Sequence, residues 1–296
     1  MLTPGQIEQY AEQGYLVLPA LIPPDKLAAI RAATDRLVDG ARGVVANDDL
    51  YDLEPGHTPT LPRVRRLKPA IFSREPIFSA LIRDPLILEP VSQLLGTGVR
   101  LHGGKLNLKA AGYGSPVEWH QDWAFYPHSN DDVLATGLYL DDCDLANGPL
   151  LVMPGTHRGS IYDHHSDGRF CGAMDPIASG LDFNQAVPLT GPAGSLTIHH
   201  ARLVHGSALN TSNRTRRLLL HEYAATDAWP LMGVKDLAEF DSRIVLGAPT
   251  LEPRVRPAPI RMPLPAAEHQ GSIYENQRGA GRLYFQTAQA RSIAKM

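Results

Sequence analysis

The spacing of apolar residues changes near residue 98 of the chain. Before this point, apolar positions follow a roughly helical period, as for Leu27, Ile30 and Leu37. Beyond it, apolar and polar residues alternate with period 2, as in residues 105–109. The pattern therefore predicts a helical N-terminal part over about residues 1–97, followed by a β-rich core over about residues 98–225.

The first helix has clear start and stop signals. Thr3 can cap its N-terminus, Pro4 suits the first helical position and Gln6 completes a capping box. Gly14 is expected to end it, because glycine readily adopts the left-handed conformation that closes a helix. Two further helices are predicted, over about residues 24–40 and 85–95.

The β-rich core is predicted to consist of short strands separated by turns. Strands are expected over residues 15–19, 99–102, 105–109, 133–140, 148–155, 194–200 and 217–223. Residues 41–62 have no periodicity and are predicted to form a surface loop. Residues 159–186 are polar, irregular and too long for a plain connection, which indicates a functional loop or lid.

Prolines recur in the C-terminal part of the chain, over about residues 245–296. They stand at positions 249, 253, 257, 259, 263 and 265. Because proline interrupts helices and central strands, this part is predicted to be an extended wrap over the core. A second domain is not indicated, and residues 1–296 are expected to form a single domain.

The composition argues against several classes of protein. With 28 basic and 31 acidic residues the net charge is −3, so neither a nucleic-acid nor a membrane partner is expected. The two cysteines form no C-x-x-C motif, which fits a reducing compartment. No signal peptide or membrane span is expected from the sequence. The expectation is a cytoplasmic monomer or small homo-oligomer that acts on a small molecule.

Two H-x-D triplets offer a pair of metal ligands. Since the chain has 12 histidines, about one such match is expected by chance. His165 and Asp167 lie in the polar irregular stretch, whereas His120 and Asp122 lie between predicted strands. Because rigid elements hold metal ligands better than loops do, the site is assigned to His120 and Asp122. One more histidine would complete the two-histidine, one-carboxylate set of non-haem Fe(II) oxygenases.

The third ligand is expected from a later strand. Four histidines are candidates: His199, His200, His205 and His221. The residues alone leave this choice open.

An arginine-rich run follows His205 and includes Arg214, Arg216 and Arg217. An arginine inside a barrel can pair bidentately with the carboxylate of a dicarboxylic co-substrate, and Ser207 can donate its hydroxyl to the same group. Period 2 places Arg216 and Arg217 on opposite faces of a strand but does not choose between them.

In their order along the chain, these features resemble the phytanoyl-CoA dioxygenase family of Fe(II)/2-oxoglutarate oxygenases. The shared features are an opening helix with a Gly-Tyr-Leu-Val-Leu-Pro strand, Trp-His-Gln-Asp-Trp at 119–123, Asn-Gly-Pro-Leu at 147–150, Pro-Gly-Thr-His-Arg at 154–158 and His-Gly-Ser-x-x-Asn at 205–210. Arg216 follows eleven residues after His205, which is the family's spacing. Each piece is weak alone, but the ordered set over about residues 3–225 is specific.

The resemblance implies a mainly β fold with flanking helices around a double-stranded β-helix, a jelly-roll or cupin-like core. It implies that His120, Asp122 and His205 bind Fe(II). The reaction implied is oxidation by O₂ with conversion of 2-oxoglutarate to succinate and CO₂. Hydroxylation of an unactivated C–H bond is the default outcome, and desaturation or ring formation are alternatives.

The resemblance also implies how the co-substrate is held. Arg216, helped by Ser207, would bind the distal carboxylate of 2-oxoglutarate. Gln121 and Arg66 would contact the carboxylate nearer the iron. Arg66 belongs to a basic run at residues 62–68, for which a solvated strand edge is the competing interpretation.

Two other functions are compatible with the same residues. A zinc hydrolase uses a similar ligand set with an open position for water, but it gives Arg216 no purpose. A metal-free jelly-roll binding protein would keep its ligand affinity when His120 is replaced.

Overall fold

The computed structural model describes residues 1–285. The helices are α1 Pro4–Gln13, α2 Pro24–Asp39, α3 Ile71–Arg74, α4 Pro76–Leu81, α5 Pro85–Leu95, α6 Leu237–Ser242 and α7 Ile273–Asn276. The strands are β1 Tyr15–Leu18, β2 Tyr51–Leu53, β3 Val64–Leu67, β4 Val99–Lys109, β5 Val117–His120, β6 Val133–Tyr139, β7 Leu150–Val152, β8 His165–Ser166, β9 Arg169–Phe170, β10 Val187–Leu189, β11 Leu196–His200, β12 His205–Ser207, β13 Arg216–Ala225 and β14 Ile244–Leu246.

Two antiparallel sheets form the core. The larger has the order β1-β11-β6-β13-β4-β3-β2, with β14 added beside β4, and the smaller has the order β10-β7-β12-β5. Apart from β2, β3 and β4, neighbouring strands in both sheets are not consecutive in the chain, as in a jelly roll. Cavities between the sheets are lined by residues of both. The predicted mainly β fold with flanking helices is therefore confirmed.

Alternation along β13 separates the two faces of the larger sheet. Leu219 belongs to the main apolar cluster, which it shares with Leu27 and Ile30 of α2. Arg216 and Leu218 point the other way and line a cavity between the sheets. The helices therefore cover the outer face of the sheet and leave its inner face for the site.

The predicted helices are confirmed, down to the cap of α1. The Thr3 side chain accepts from the backbone N–H of Gln6 in a capping box, and Gly14 closes the helix with a φ of 81°. The predicted strands at 99–102 and 105–109 are one continuous strand, β4, because Gly103 and Gly104 still pair with β13. The long connection at 159–186 contains a two-stranded hairpin, β8 and β9.

The predicted strand at 15–19 is confirmed as β1, which joins the larger sheet. The segment 41–62, predicted to be a surface loop, instead contains the buried strand β2, which joins the same sheet through β3. The basic run contains β3 and is not a solvated edge. Arg65 is buried there in an ion pair with Asp52 at 2.8 Å.

The C-terminal part crosses the core after β14. Residues 247–272 contain no helix or strand, and α7 follows at Ile273–Asn276. The last part of the predicted wrap, residues 286–296, lies outside the described residues. No helix within residues 1–285 has both the length and the apolar character needed to cross a membrane.

Candidate metal centre and co-substrate pocket

Two histidines face each other across neighbouring strands of the smaller sheet. His120 is the last residue of β5 and His205 the first of β12, and the two are paired in register. Their ring centroids are 4.1 Å apart. Asp122 follows in a 3₁₀ turn, Asp122–Ala124, which brings its carboxylate back to the same place. One ligand atom from each of the three residues lies within 4.8 Å of the others.

Hydrogen bonds orient both imidazole rings. Nδ1 of His120 lies 2.7 Å from the Glu118 carbonyl oxygen, and Nδ1 of His205 lies 2.9 Å from that of Leu203. A ring that donates from Nδ1 keeps the Nε2 lone pair for a metal. The two Nε2 atoms lie 3.7 Å and 3.9 Å from the Asp122 carboxylate oxygens.

The electrostatic environment favours the metal-binding protonation states of His205 and Asp122. Burial, with a contribution from His120, lowers the pKa of His205 well below its usual value. Burial alone would raise the pKa of Asp122, but the neighbouring rings of His205, His120 and His199 hold it well below its usual value. Neutral imidazoles and an ionised carboxylate are the donors that Fe(II) requires, so the residues fit this metal.

The other H-x-D triplet forms no such cluster. His165 lies on β8, where its Nδ1 contacts the Asp163 carboxylate at 2.8 Å. Asp167 has a positive φ of 49° in the hairpin turn. Within residues 1–285, no second group of three potential ligands converges.

Of the other histidines considered as the third ligand, His199 lies closest to the metal site. It is 1% exposed on β11, and its Nε2 lies 3.5 Å from Oδ2 of Asp122. Neither ring nitrogen has a hydrogen-bond partner among the described residues. His200 points to the other face, where its Nδ1 accepts from the backbone N–H of Arg202. His221 packs against Phe72 outside the barrel.

A small inner cavity of about 40 Å³ adjoins the metal ligands. Arg216 lines it and is 2% exposed. Its Nε and Nη2 donate to the Gly148 carbonyl oxygen, at 3.1 Å and 2.6 Å, while Nη1 is buried without a partner. Ser207 lines the same cavity. A buried guanidinium with an unused donor is costly unless an anion fills the place, so this cavity fits the distal carboxylate of 2-oxoglutarate.

The competing arginines lie elsewhere. Arg217 points to the opposite face and pairs with Asp141 at 2.7 Å and with Asp35 at 2.6 Å. Arg214 is half exposed and pairs with Asp144. Of the three, the structure places only Arg216 in the cavity.

The side chain of Gln121 does not line the inner cavity. Its Nε2 donates to the carbonyl oxygens of Ser160 and Arg202, and its Oε1 accepts from the Tyr162 N–H. Because residues alternate across a strand, Gln121 points away from the face that carries its neighbours His120 and Asp122. The predicted contact of Gln121 with the co-substrate is therefore not supported, and its side chain instead connects two loops.

A larger outer cavity of about 450 Å³ opens above Asp122. Arg66 lines it, and the Nε of Arg66 is buried without a partner. Burial lowers the pKa of Arg66. Lys105 and Glu222 line the same cavity and pair with each other at 2.5 Å. The alternation of polar and apolar residues along β4 indicates which face of the sheet carries Lys105. Its pairing with Glu222 could not be predicted in the same way, because it depends on how β13 is aligned with β4.

The C-terminal segment, residues 262–285, supplies residues to the walls of both cavities, which the sequence did not indicate. Ala266, Gln270 and Ile273 line the outer cavity, and Tyr274 lines the inner one. No local motif marks these positions, because their role depends on where the segment crosses the barrel.

The sequence is similar to several known oxygenases. The sequence model of the phytanoyl-CoA dioxygenase family (PhyH) matches residues 10–218. A probable alpha-ketoglutarate-dependent hypophosphite dioxygenase from Stutzerimonas stutzeri is 37% identical over 284 residues, which cover 95% of this chain and 99% of that protein. An L-proline trans-4-hydroxylase from Streptomyces griseoviridis is 30% identical over 235 residues, covering 73% and 84% of the two chains.

Solved structures show the same fold. EctD from S. alaskensis, with 2-oxoglutarate and 5-hydroxyectoine, aligns with a TM-score of 0.65 at 23% identity, covering 88% of this chain and 87% of that chain. The alpha-ketoglutarate-dependent carbocyclase SnoK from nogalamycin biosynthesis aligns with a TM-score of 0.62 at 22% identity, covering 84% and 93%.

Proposed function

We propose, since the chain belongs to the phytanoyl-CoA dioxygenase family, that it hydroxylates a small, negatively charged molecule. The chain is an Fe(II)- and 2-oxoglutarate-dependent dioxygenase, as its resemblance predicted.

The observation that carries the proposal is the arrangement of cations around the ligand cluster. His120, Asp122 and His205 line the inner cavity, and Asp122 also lines the outer one. Arg216 faces the inner cavity, and Arg66 faces the outer one with an unpartnered Nε. We assign Fe(II) to the three ligands and the distal carboxylate of 2-oxoglutarate to Arg216 and Ser207. Arg66 is left for the carboxylate nearer the metal.

When bound, iron and 2-oxoglutarate supply the oxidising power: O₂ gives one oxygen atom to the substrate and one to succinate, with release of CO₂. The protein fixes the geometry of this exchange. The hydrogen bonds from Nδ1 of His120 and His205 hold the rings in place, so both Nε2 atoms face the metal. The aromatic rings of Phe125 and Phe170 line the outer cavity and make part of its wall apolar.

The charges of the outer cavity favour a compact anion as substrate. Lys105 and Arg66 are cations on its wall. Arg66 is assigned to the 2-oxoglutarate carboxylate nearer the metal, so Lys105, which also pairs with Glu222 at 2.5 Å, is the cation left for a substrate anion. The relative that is similar over nearly the full length of both chains is named for hypophosphite, a small anion. Hypophosphite is therefore the first substrate to test, with the P–H bond hydroxylated to give phosphite.

Other substrates belong in the same test. The relative from Streptomyces griseoviridis is named for proline, whose carboxylate also suits Lys105. A cavity of about 450 Å³ lies within the usual range for small-molecule sites, so an organic acid hydroxylated at C–H also fits.

The test is anaerobic loading followed by turnover. Metal-free protein is mixed with Fe(II) and 2-oxoglutarate, and the visible charge-transfer band of the chelate is recorded. Oxygen is then admitted with hypophosphite, proline or ectoine, and succinate, phosphite and hydroxylated products are measured. We expect one anion to raise succinate formation, with one product molecule per succinate.

Variants and metals separate this function from its alternatives. His120→Ala and His205→Ala should lose both the band and the turnover. A zinc hydrolase would instead form no band and would act with Zn²⁺ in the absence of 2-oxoglutarate. Substrate-independent succinate formation with every compound tested would count against a small anion as substrate.

A further inference from the structure

The C-terminal segment, defined here as residues 262–285, forms one wall of the site. It lies outside the part of the chain that the family sequence model matches, which ends at residue 218. Pro263 and Gln270 line the outer cavity, and Tyr274 of α7 lines the inner cavity beside Arg216. This segment therefore meets both the substrate and the co-substrate spaces.

Several interactions fix the segment against the core. The Gln277 side-chain oxygen accepts from the Glu118 N–H at 2.9 Å, and its amide nitrogen donates to the Gly172 carbonyl oxygen at 3.0 Å. The Glu118 carboxylate in turn accepts from the N–H groups of Tyr284 and Phe285. Because Glu118 lies on β5, two residues before His120, these bonds tie the segment to the strand that carries a metal ligand.

The ring of Tyr274 is held from a second side. Arg65 lies over it, with 4.8 Å from the guanidinium carbon to the ring centroid. The same guanidinium pairs with Glu275 at 2.5 Å and with the buried Asp52 at 2.8 Å. A ring fixed by a cation above it and by a neighbouring ion pair has little freedom to turn, so the direction of its hydroxyl is set.

The hydroxyl group of Tyr274 is an unused donor. The residue is 6% exposed, and its hydroxyl oxygen has no hydrogen-bond partner among the described residues. Burial and the nearby Glu54 raise the pKa of Tyr274 to about 12, so the group keeps its proton at neutral pH. A buried hydroxyl without a partner is unfavourable, which indicates that a ligand normally accepts from it.

Two unused donors thus share one small cavity: the Tyr274 hydroxyl and Nη1 of Arg216. Ser207 adds a second hydroxyl group to the same lining. A carboxylate has two oxygens and about four acceptor positions, so it can accept from a guanidinium and from hydroxyl groups at once. A neutral or cationic ligand would leave the guanidinium unpaired.

We propose that Tyr274 donates a hydrogen bond to the distal carboxylate of 2-oxoglutarate beside Arg216, so that the C-terminal segment takes part in binding the co-substrate. The inference does not depend on which substrate the enzyme oxidises. It adds Tyr274, which lies beyond the residues that the family sequence model matches, to the co-substrate pocket.

The experiment compares two 2-oxo acids, one with and one without a distal carboxylate. Full-length protein is loaded with Fe(II) without oxygen and titrated with 2-oxoglutarate or with 2-oxopentanoate, and binding is followed by the charge-transfer band. In Tyr274→Phe we expect the dissociation constant for 2-oxoglutarate to rise roughly tenfold or more, as for loss of a hydrogen bond to a charged group. The constant for 2-oxopentanoate should stay within about twofold, because that compound has no carboxylate for Tyr274 to contact.

Two further variants serve as controls. Arg216→Met should show the same selectivity between the two acids, with a larger loss. Tyr284→Phe removes a hydroxyl from a 43% exposed tyrosine of the same segment and should bind both acids as the wild type does. Thermal unfolding of each variant checks that the fold is retained.

The outcomes that would overturn the proposal are specific. Unchanged affinity of Tyr274→Phe for 2-oxoglutarate would show that its hydroxyl does not contact the co-substrate. An equal loss for both acids would show a general effect on the pocket rather than a contact with the distal carboxylate. Because no substrate is present, either result leaves the proposed reaction on a small anion untouched, and failure to find a substrate leaves this test valid.

Discussion

The Nε2 atom of His199 lies 3.5 Å from Oδ2 of Asp122, and the two residues come from opposite sheets. His199 belongs to β11 of the larger sheet, whereas Asp122 follows β5 of the smaller sheet. The ring of His199 also lies 4.5 Å from that of His205, between centroids. Through these two contacts, His199 links the larger sheet directly to two of the candidate metal ligands.

His199 is expected to position Asp122 without binding the metal itself. Partners that orient a metal ligand typically change metal affinity 10- to 100-fold when removed. His199→Phe should therefore weaken Fe(II) binding by roughly tenfold or more, measured by anaerobic titration of the metal-free protein. His199→Gln keeps a donor and should recover part of the affinity.

The matched control is His221→Phe, which alters another buried histidine of the larger sheet, on its outer face against Phe72. It should bind Fe(II) as the wild type does. Wild-type affinity in His199→Phe would assign His199 a packing role only.

Binding of 2-oxoglutarate should require the planar guanidinium group of Arg216 and not merely its positive charge. Arg216→Lys keeps the charge but loses the fork that donates to Gly148 and leaves Nη1 for a ligand. The KM for 2-oxoglutarate should rise about tenfold or more, with a smaller change in kcat. Arg214→Lys, at an exposed ion pair, is the control and should leave both constants unchanged. Equal effects of the two variants would contradict the assignment of Arg216.

Replacement of Lys105 should weaken binding of the substrate more than binding of the co-substrate. Lys105→Met leaves the Glu222 carboxylate unpaired on the wall of the outer cavity, where it repels an anion. The KM for the anionic substrate should rise about tenfold, while 2-oxoglutarate affinity changes less. Lys26→Met removes a lysine from a similar ion pair, with Asp84 at 2.6 Å, outside the site. If Lys26→Met had the same effect, the role of Lys105 in the cavity would be refuted.

His164 should make the stability of the fold depend on pH. Its Nε2 accepts from the Gln121 N–H at 2.9 Å, which requires an unprotonated Nε2, and burial lowers the pKa of His164 to about 3. The unfolded chain binds this proton near pH 6.5 and the folded chain does not. The stabilising contribution is thus complete above pH 6.5 and is lost as pH falls from 6.5 towards 3.

Denaturant unfolding of wild type and His164→Gln measures this contribution. The wild type should lose about 1.4 kcal/mol more than the variant between pH 7.5 and pH 5.5. A difference between the two proteins that does not change with pH would show that His164 is protonated equally in both states.

The local pattern of the sequence was enough for the three longest helices, α1, α2 and α5, and for the two faces of β13. The cap of α1 depends on Thr3 and Gln6, three residues apart, and is confirmed. Period 2 correctly separated Arg216 from Arg217, since one lies inside the barrel and the other pairs with Asp141 outside. The same alternation explains why Gln121 points away from the site, although the family resemblance suggested a contact for it.

The ordered motifs of the sequence by themselves identified the family, and the jelly-roll fold and the cofactors followed from that resemblance. The tertiary structure decided which distant residues meet. His205 stands opposite His120 only through the pairing of β12 with β5, and His199 reaches Asp122 only because the two sheets face each other. Tyr274 enters the inner cavity because α7 lies against Arg65. Such contacts depend on the register and packing of segments far apart in the chain, which no local spacing of residues specifies.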